Sequence, residues 1–154
     1  MSWTVPVADR VDGQPVYDLV LLTRHPDGLW LFNDAASRAY FKHHQLSWSS
    51  NEQLEQPLTL FGELTVDEVC DQLHSQFAER VAVNLSAAVE RGESFVVKRR
   101  MDDVFADGLA GRAGEKHVRS ALRRLYEAQV IGAPDPKGKD IAGYRVTPGP
   151  AVSR

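Results

Sequence analysis

Lys116-His-Val-Arg-Ser-Ala-Leu-Arg-Arg-Leu125 decides how this chain is read. At about 100° per residue, Ala121, Leu122 and Leu125 fall within about 60° of Val118, while Lys116, Ser120, Arg123 and Glu127 gather near the opposite pole, flanked by Arg119 and Arg124. The spacing predicts a helix with an apolar floor and a basic roof. Downstream, Val130 and Ile131 lead into Asp135-Pro-Lys-Gly-Lys139, a tight basic turn, and the chain returns through Ile141, Tyr144 and Val146. Helix, strand, basic turn, strand is the order of a winged helix-turn-helix. The expected class is therefore α+β, mostly α.

The charges are unevenly placed. Residues 1–95 hold six Lys/Arg against fourteen Asp/Glu, a balance of −8; residues 96–154 hold twelve against seven, a balance of +5, which gives the −3 of the whole chain. A basic end on an acidic chain suggests a surface for an anionic partner. Nucleic acid comes first, because Lys and Arg that neutralise phosphates release counterions. The plain alternative is a solvated helix face.

With 154 residues, 43% hydrophobic and 25% charged, the chain can bury one ordinary core or two small ones. The start Met-Ser-Trp-Thr-Val-Pro has no basic region leading into an apolar run, and no stretch of about 18 apolar residues occurs, so neither a signal peptide nor a membrane span is expected. Cys70 is the single cysteine, which excludes an internal disulfide and fits a reducing cytoplasm.

Val16-Tyr-Asp-Leu-Val-Leu-Leu-Thr23 is nearly continuously apolar, the pattern of a strand covered on both faces. After the turn His25-Pro-Asp-Gly28, the residues Leu29, Trp30, Leu31, Ala35, Ala39, Tyr40 and Phe41 suggest a helix ending near His43 and His44. A strand and a helix make a poor domain alone. Residues 1–44 are expected to form an appendage that packs on the rest of the chain, on another copy or on a separate protein. Residues 45–58, polar and aperiodic, read as a linker. Residues 59–148 are expected to form the winged-helix domain, and 149–154 a tail. Within that domain Thr65-Val-Asp-Glu68 fits a capping box, followed by Val66, Val69, Cys70, Leu73 and Phe77 at helical spacing. Asn84 is placed to cap a second helix that stops at Gly92. Ser94–Val97 reads as a short strand or turn, Asp102–Leu109 as a helical turn, and Gly111–Gly114 as the bend into the basic helix.

Arg112-Ala-Gly-Glu-Lys-His-Val-Arg-Ser-Ala-Leu-Arg-Arg-Leu125, with Lys137-Gly-Lys-Asp-Ile141, resembles the C-terminal winged helix of the three-Cys-motif partner proteins. Tyr17-Asp-Leu-Val-Leu-Leu-Thr-Arg-His-Pro-Asp-Gly28 likewise resembles the last strand and turn of that family's methyltransferase-like domain. The resemblance touches residues 1–44 and about 59–148 and implies the tail of such a protein. No strand with a glycine-rich loop for S-adenosylmethionine precedes Tyr17.

Chemistry-bearing constellations are weak. Gly108, Gly111 and Gly114 follow a helical stretch, so they read as a flexible turn and not a phosphate cradle. Cys70 and His74 lie four apart on one helix near Asp67 and Asp71, yet Cys70 sits on the apolar stripe and reads as a packing thiol. His43 and His44 are adjacent and point apart. His117 either contacts phosphate or caps the turn before the basic helix. Neither an enzyme nor a cofactor or metal site is expected. The reading is a nucleic-acid-binding protein, duplex DNA ahead of RNA. Lys116, Ser120 and Arg123 would reach base edges, and Arg112, Arg119, Lys137 and Lys139 would hold phosphates. Two copies could pair through residues 16–44. The rival readings are a partner subunit that uses the winged helix as a scaffold, with the Val16–Thr23 edge adding to another sheet, and a remnant of a methyltransferase-like complex.

Overall fold

Strand β1 (Ser2–Ala8) alternates Trp3 and Val5, both buried, with exposed Ser2 and Thr4, so one face of the strand belongs to the core. It pairs antiparallel with β2 (Pro15–Leu22), Trp3 opposite Leu21 and Val5 opposite Leu19. A computed structural model describes residues 1–8, 14–51, 65–132 and 134–152. The predicted strand at Val16–Thr23 is thus present, but it is not covered on both faces: β2 is exposed along nearly all its length. Its one neighbour strand among the described residues is β1, and a two-stranded hairpin leaves an edge and a face open.

Helix α1 (Pro26–Asn51) begins at a proline, whose missing N–H costs nothing in the first turn. It runs past the predicted end at His43–His44. Residues 45–51 of the expected linker are therefore helical, and 52–58 lie outside the described residues. The buried stripe is Leu29, Trp30, Asn33, Ser37, Phe41 and His44, whereas Leu31, Ala35 and Ala39 face outward. Polar Asn33, Ser37 and His44 thus belong to the buried stripe.

Helix α2 (Val66–Glu90) starts at the predicted capping box: the Glu68 N–H donates to Thr65 Oγ1 at 3.3 Å, and the Thr65 N–H donates to the Glu68 carboxylate at 2.7 Å. It is one helix where two were expected. Asn84 does not cap anything; its side-chain amide donates to the Val104 carbonyl at 3.3 Å. Gly92, with φ of +80°, does follow the helix end. The short strand β3 (Phe95–Val96), a 3₁₀ turn at Val97–Arg99 and helix α3 (Met101–Val104) lead to the bend before α4 (Glu115–Glu127). Strand β4 (Arg145–Val146) pairs with β3 and not with the segment after α4. That segment meets a later stretch: Ile131 bridges Pro148, the Gly132 N–H donates to the Thr147 carbonyl at 2.8 Å, and the Gly149 N–H to Val130 at 2.8 Å.

The architecture is α+β, with roughly half of the described residues helical. One hydrophobic cluster joins Trp3, Val5, Trp30 and Phe41 to Phe77, Val81 and Leu85 of α2, to Val118, Ala121, Leu122 and Leu125 of α4, and to Ile131, Ile141 and Val146. The described part of residues 1–44 therefore packs on the remainder of the chain through β1 and α1. Phe105 sits between the two indoles, with its centroid 6.2 Å from Trp3 and 5.9 Å from Trp30.

The bend before α4 is clamped by α1. The carboxamide oxygen of Asn33 accepts from the Trp3 indole at 3.0 Å and from the Gly111 N–H at 2.8 Å, while its nitrogen donates to the Ala113 carbonyl at 2.8 Å. One helical turn on, Ser37 Oγ donates to the Arg112 carbonyl at 2.8 Å. Gly111 takes φ of +69° with Val5 packed where a Cβ would stand, so this turn is held and not flexible. Replacing Leu122 with Ala should destabilise by roughly 2 to 5 kcal/mol through the cavity left. Asn33→Ala should cost about 2 to 4 kcal/mol although few atoms are lost, since it strands buried donors and an acceptor. Urea unfolding measures both, and an Asn33→Ala loss below about 1 kcal/mol would show that the clamp is dispensable.

Candidate nucleic-acid interface on α4 and the basic turn

Helix α4 buries Val118, Ala121, Leu122 and Leu125, the predicted floor, and directs Lys116, Arg123, Arg124 and Glu127 into solvent, with Arg119 and Ser120 half-buried at the margins. Its N-terminus is held by two side chains. Asp34 of α1 accepts from the Glu115 N–H at 3.0 Å, and the Gly114 N–H donates to Nδ1 of His117 at 2.9 Å. Gly114 is glycine for a reason: a Cβ there would meet Asp34 at 2.7 Å and Ser37 at 3.0 Å.

The seven residues predicted for nucleic acid fall into two groups. Lys116, Arg123, Lys137 and Lys139 are exposed and make no ion pair among the described residues. Arg112 and Arg119 are engaged. The Arg112 guanidinium lies over the Tyr40 ring, 5.7 Å from its centroid. Arg119 donates to Glu115 at 2.6 Å and to the backbone carbonyl of Lys139 at 3.3 Å. Glu115 also accepts from the Trp30 indole at 3.4 Å, so its charge is spent locally. The seventh, Ser120, is half-buried and lies between Lys116 and Arg123 along α4.

The turn is built for its position. Asp135 accepts from the Lys137 N–H at 2.8 Å, an Asx turn, and Gly138 takes φ of +68° in open space. The Tyr144 hydroxyl donates to the Pro134 carbonyl and Pro136 is buried, so the turn is anchored at its base while both lysines project. With Arg119 bonded to the Lys139 carbonyl, the turn lies against α4.

Beside the first turn of α4, an open cleft of about 630 Å³ is lined by Ser37, Phe41, Lys42, His74, Lys116 and His117, among others. Sequence reasoning missed the pair inside it. Nε2 of His117 lies 2.8 Å from Nδ1 of His74, and the Phe41 ring stacks on His74 at 3.8 Å and on His117 at 5.4 Å. Because Nδ1 of His117 accepts from Gly114, the neutral ring carries its proton on Nε2 and donates it to His74. Of the two roles open to His117, capping is the one observed; the side chain is buried. Burial, then His74 and Lys116, holds its pKa down to about 4. Burial and Lys116 also lower His74. The i,i+4 spacing of Cys70 and His74 does not make a reactive pair, since His74 turns to His117. Burial and Asp67 push the Cys70 thiol up, away from the reactive thiolate. No group of three or more His, Cys, Asp or Glu among the described residues is placed to hold a metal, and no described helix is long and apolar enough to cross a membrane.

No family model, curated protein or solved structure matches this chain.

The His74–His117 pair makes stability depend on pH. The folded pKa of His117 lies below its unfolded value of about 6.5, so its contribution is complete above pH about 6.5 and is lost as pH falls through about 4. Unfolding free energy should drop by roughly 2 to 3 kcal/mol across that window beyond what carboxylate titration gives. Comparing wild type with His117→Gln by urea titration at pH 7 and pH 4 checks this; an identical pH slope in the variant would rule it out.

Proposed function

We propose that this protein binds nucleic acid, duplex DNA first, through a winged helix in which α4 enters the major groove and the 135–140 turn is the wing. The order α2, β3, α3, α4, segment 130–132, basic turn and the returning segment 147–149 that bonds to 130–132 supports this reading, because a hairpin beside the second of two packed helices is what a wing requires. One observation carries it: Arg119 ties the basic turn to α4 through the Lys139 carbonyl, and Lys116 and Arg123 on the helix and Lys137 and Lys139 on the turn are free of ion pairs among the described residues. Lys116, Ser120 and Arg123 face base edges, Lys137 and Lys139 meet phosphates, Arg119 positions the wing, and Arg112 supports the bend from its place on Tyr40. No catalytic role is assigned. The likeness to the three-Cys-motif partner proteins rests on the residues quoted for it and adds no residue role.

A second reading, a partner subunit with the helical domain as scaffold, draws on a different feature, the exposed apolar strand β2. The two separate experimentally. Duplex DNA should bind in the range of roughly 1 to 100 µM at physiological salt, with log affinity falling against log salt by about 0.9 for each phosphate contact. Lys137→Ala with Lys139→Ala should weaken every duplex sequence about equally and flatten that slope by about two units, whereas Arg123→Ala should weaken binding with the melting temperature nearly unchanged. Absence of binding at about 50 mM salt by folded protein removes the nucleic-acid reading. Unchanged affinity in the double variant leaves the scaffold reading ahead.

A further inference from the structure

Among the described residues, strand β2 is the most exposed apolar element: Val16 is 64%, Tyr17 57%, Leu19 44%, Val20 57% and Leu22 77% exposed. Sheet edges are normally blunted by lysines or bulges. This one carries a single charge, Asp18, and the irregularity in the hairpin falls at Val7/Ala8 on the other strand.

The bonding pattern fixes what the edge offers. The Thr23 N–H donates to the Met1 carbonyl at 3.1 Å, which makes Met1 and Thr23 a hydrogen-bonded pair. By the alternation of an antiparallel ladder, Leu21, Leu19 and Tyr17 are bonded to β1 in the same way. Val16, Asp18, Val20 and Leu22 therefore turn their N–H and C=O groups to the open edge.

We propose that β2 pairs antiparallel with β2 of a second copy of this chain, joining the two hairpins into one four-stranded sheet. A two-fold axis at Leu19 satisfies the bonding parity. Val16 then bonds opposite the second copy's Leu22, and Asp18 opposite its Val20. Leu19 meets Leu19, and Tyr17 meets Leu21, on the side of the sheet that faces the cores. An axis at Asp18 would oppose two like charges, which is unfavourable. A one-residue shift would break the parity. Self-pairing is isologous, so it closes at two copies, and the same groups on each chain are satisfied. The proposal stands whether or not α4 binds DNA.

Light scattering and sedimentation of the full chain from about 1 to 100 µM test it. A dimer is expected, dissociating on dilution. Val20→Pro removes an N–H that bonds nothing in β1, so it should give a monomer with unchanged far-UV circular dichroism. Should Val20→Pro disturb the hairpin, Val20→Glu decides, placing a like charge opposite the second copy's Asp18 without touching the backbone. Leu19→Cys should form an intermolecular disulfide in oxidised glutathione, because the two residues face each other across the axis. A wild type that stays monomeric at the highest concentration overturns the proposal. So does a dimer that survives both Val20 variants in folded form, or a Leu19→Cys dimer that does not cross-link.

Discussion

The side-chain amide of Asn33 is the junction on which the arrangement of α1, β1 and α4 depends. It is almost wholly buried, at 1% exposure, and its oxygen and nitrogen bind the indole of β1 and both ends of the Gly111–Ala113 bend. A buried carboxamide with its bonds satisfied is directional where apolar packing is not. Ser37 and Asp34, on the same side of α1, extend the grip to the Arg112 carbonyl and the first N–H of α4. The axis of α4, and with it the direction in which Lys116 and Arg123 point, is thus set by three polar side chains of a helix at the other end of the sequence.

Around that junction the electrostatics divide by location. Cations that brace the fold are paired, as Lys98 with Asp27, Arg91 with Asp103, and Arg100 with Glu93 and Asp103. Lys116 and Arg123 on α4 and Lys137 and Lys139 on the turn make no ion pair among the described residues. Exposed pairs add little stability, so the unpaired set costs the fold little and leaves a local positive field on a chain of net charge −3. Glu127 on the same face tempers that field, and Glu115 does not, being tied to Arg119 and Trp30.

What could be read from the residues was local and periodic. The floor of α4 follows from its 3.6-residue pattern, and the Thr65 box from two side chains three positions apart; both are complete within one helix. The buried stripe of α1 is not legible in the sequence, because Asn33, Ser37 and His44 look solvent-facing until their surroundings are known, and the backbone carbonyls that Asn33 and Ser37 bind lie about eighty residues downstream. The His74–His117 pair was hidden for the same reason, with 43 residues between its members. The β3–β4 pairing involves only two residues on each side, too few to show a period. On β2 the composition pointed to cover on both faces, and the chain's own described elements leave those faces bare.

Separation along the sequence has a kinetic side. Bringing Asn33 to Ala113 closes a loop of 80 residues, at an entropic cost of about 4 kcal/mol before any contact offsets it. The packing of α2 on α4 spans a shorter stretch and can form while the N-terminal hairpin is still unattached. Until β1 and α1 are docked, α4 lacks the polar contacts of Asn33, Ser37 and Asp34 that fix its bearing. On a ribosome the order of emergence is reversed: α1 leaves the tunnel long before Gly111 and Gly114 exist, and it must wait with its polar stripe hydrated until they arrive.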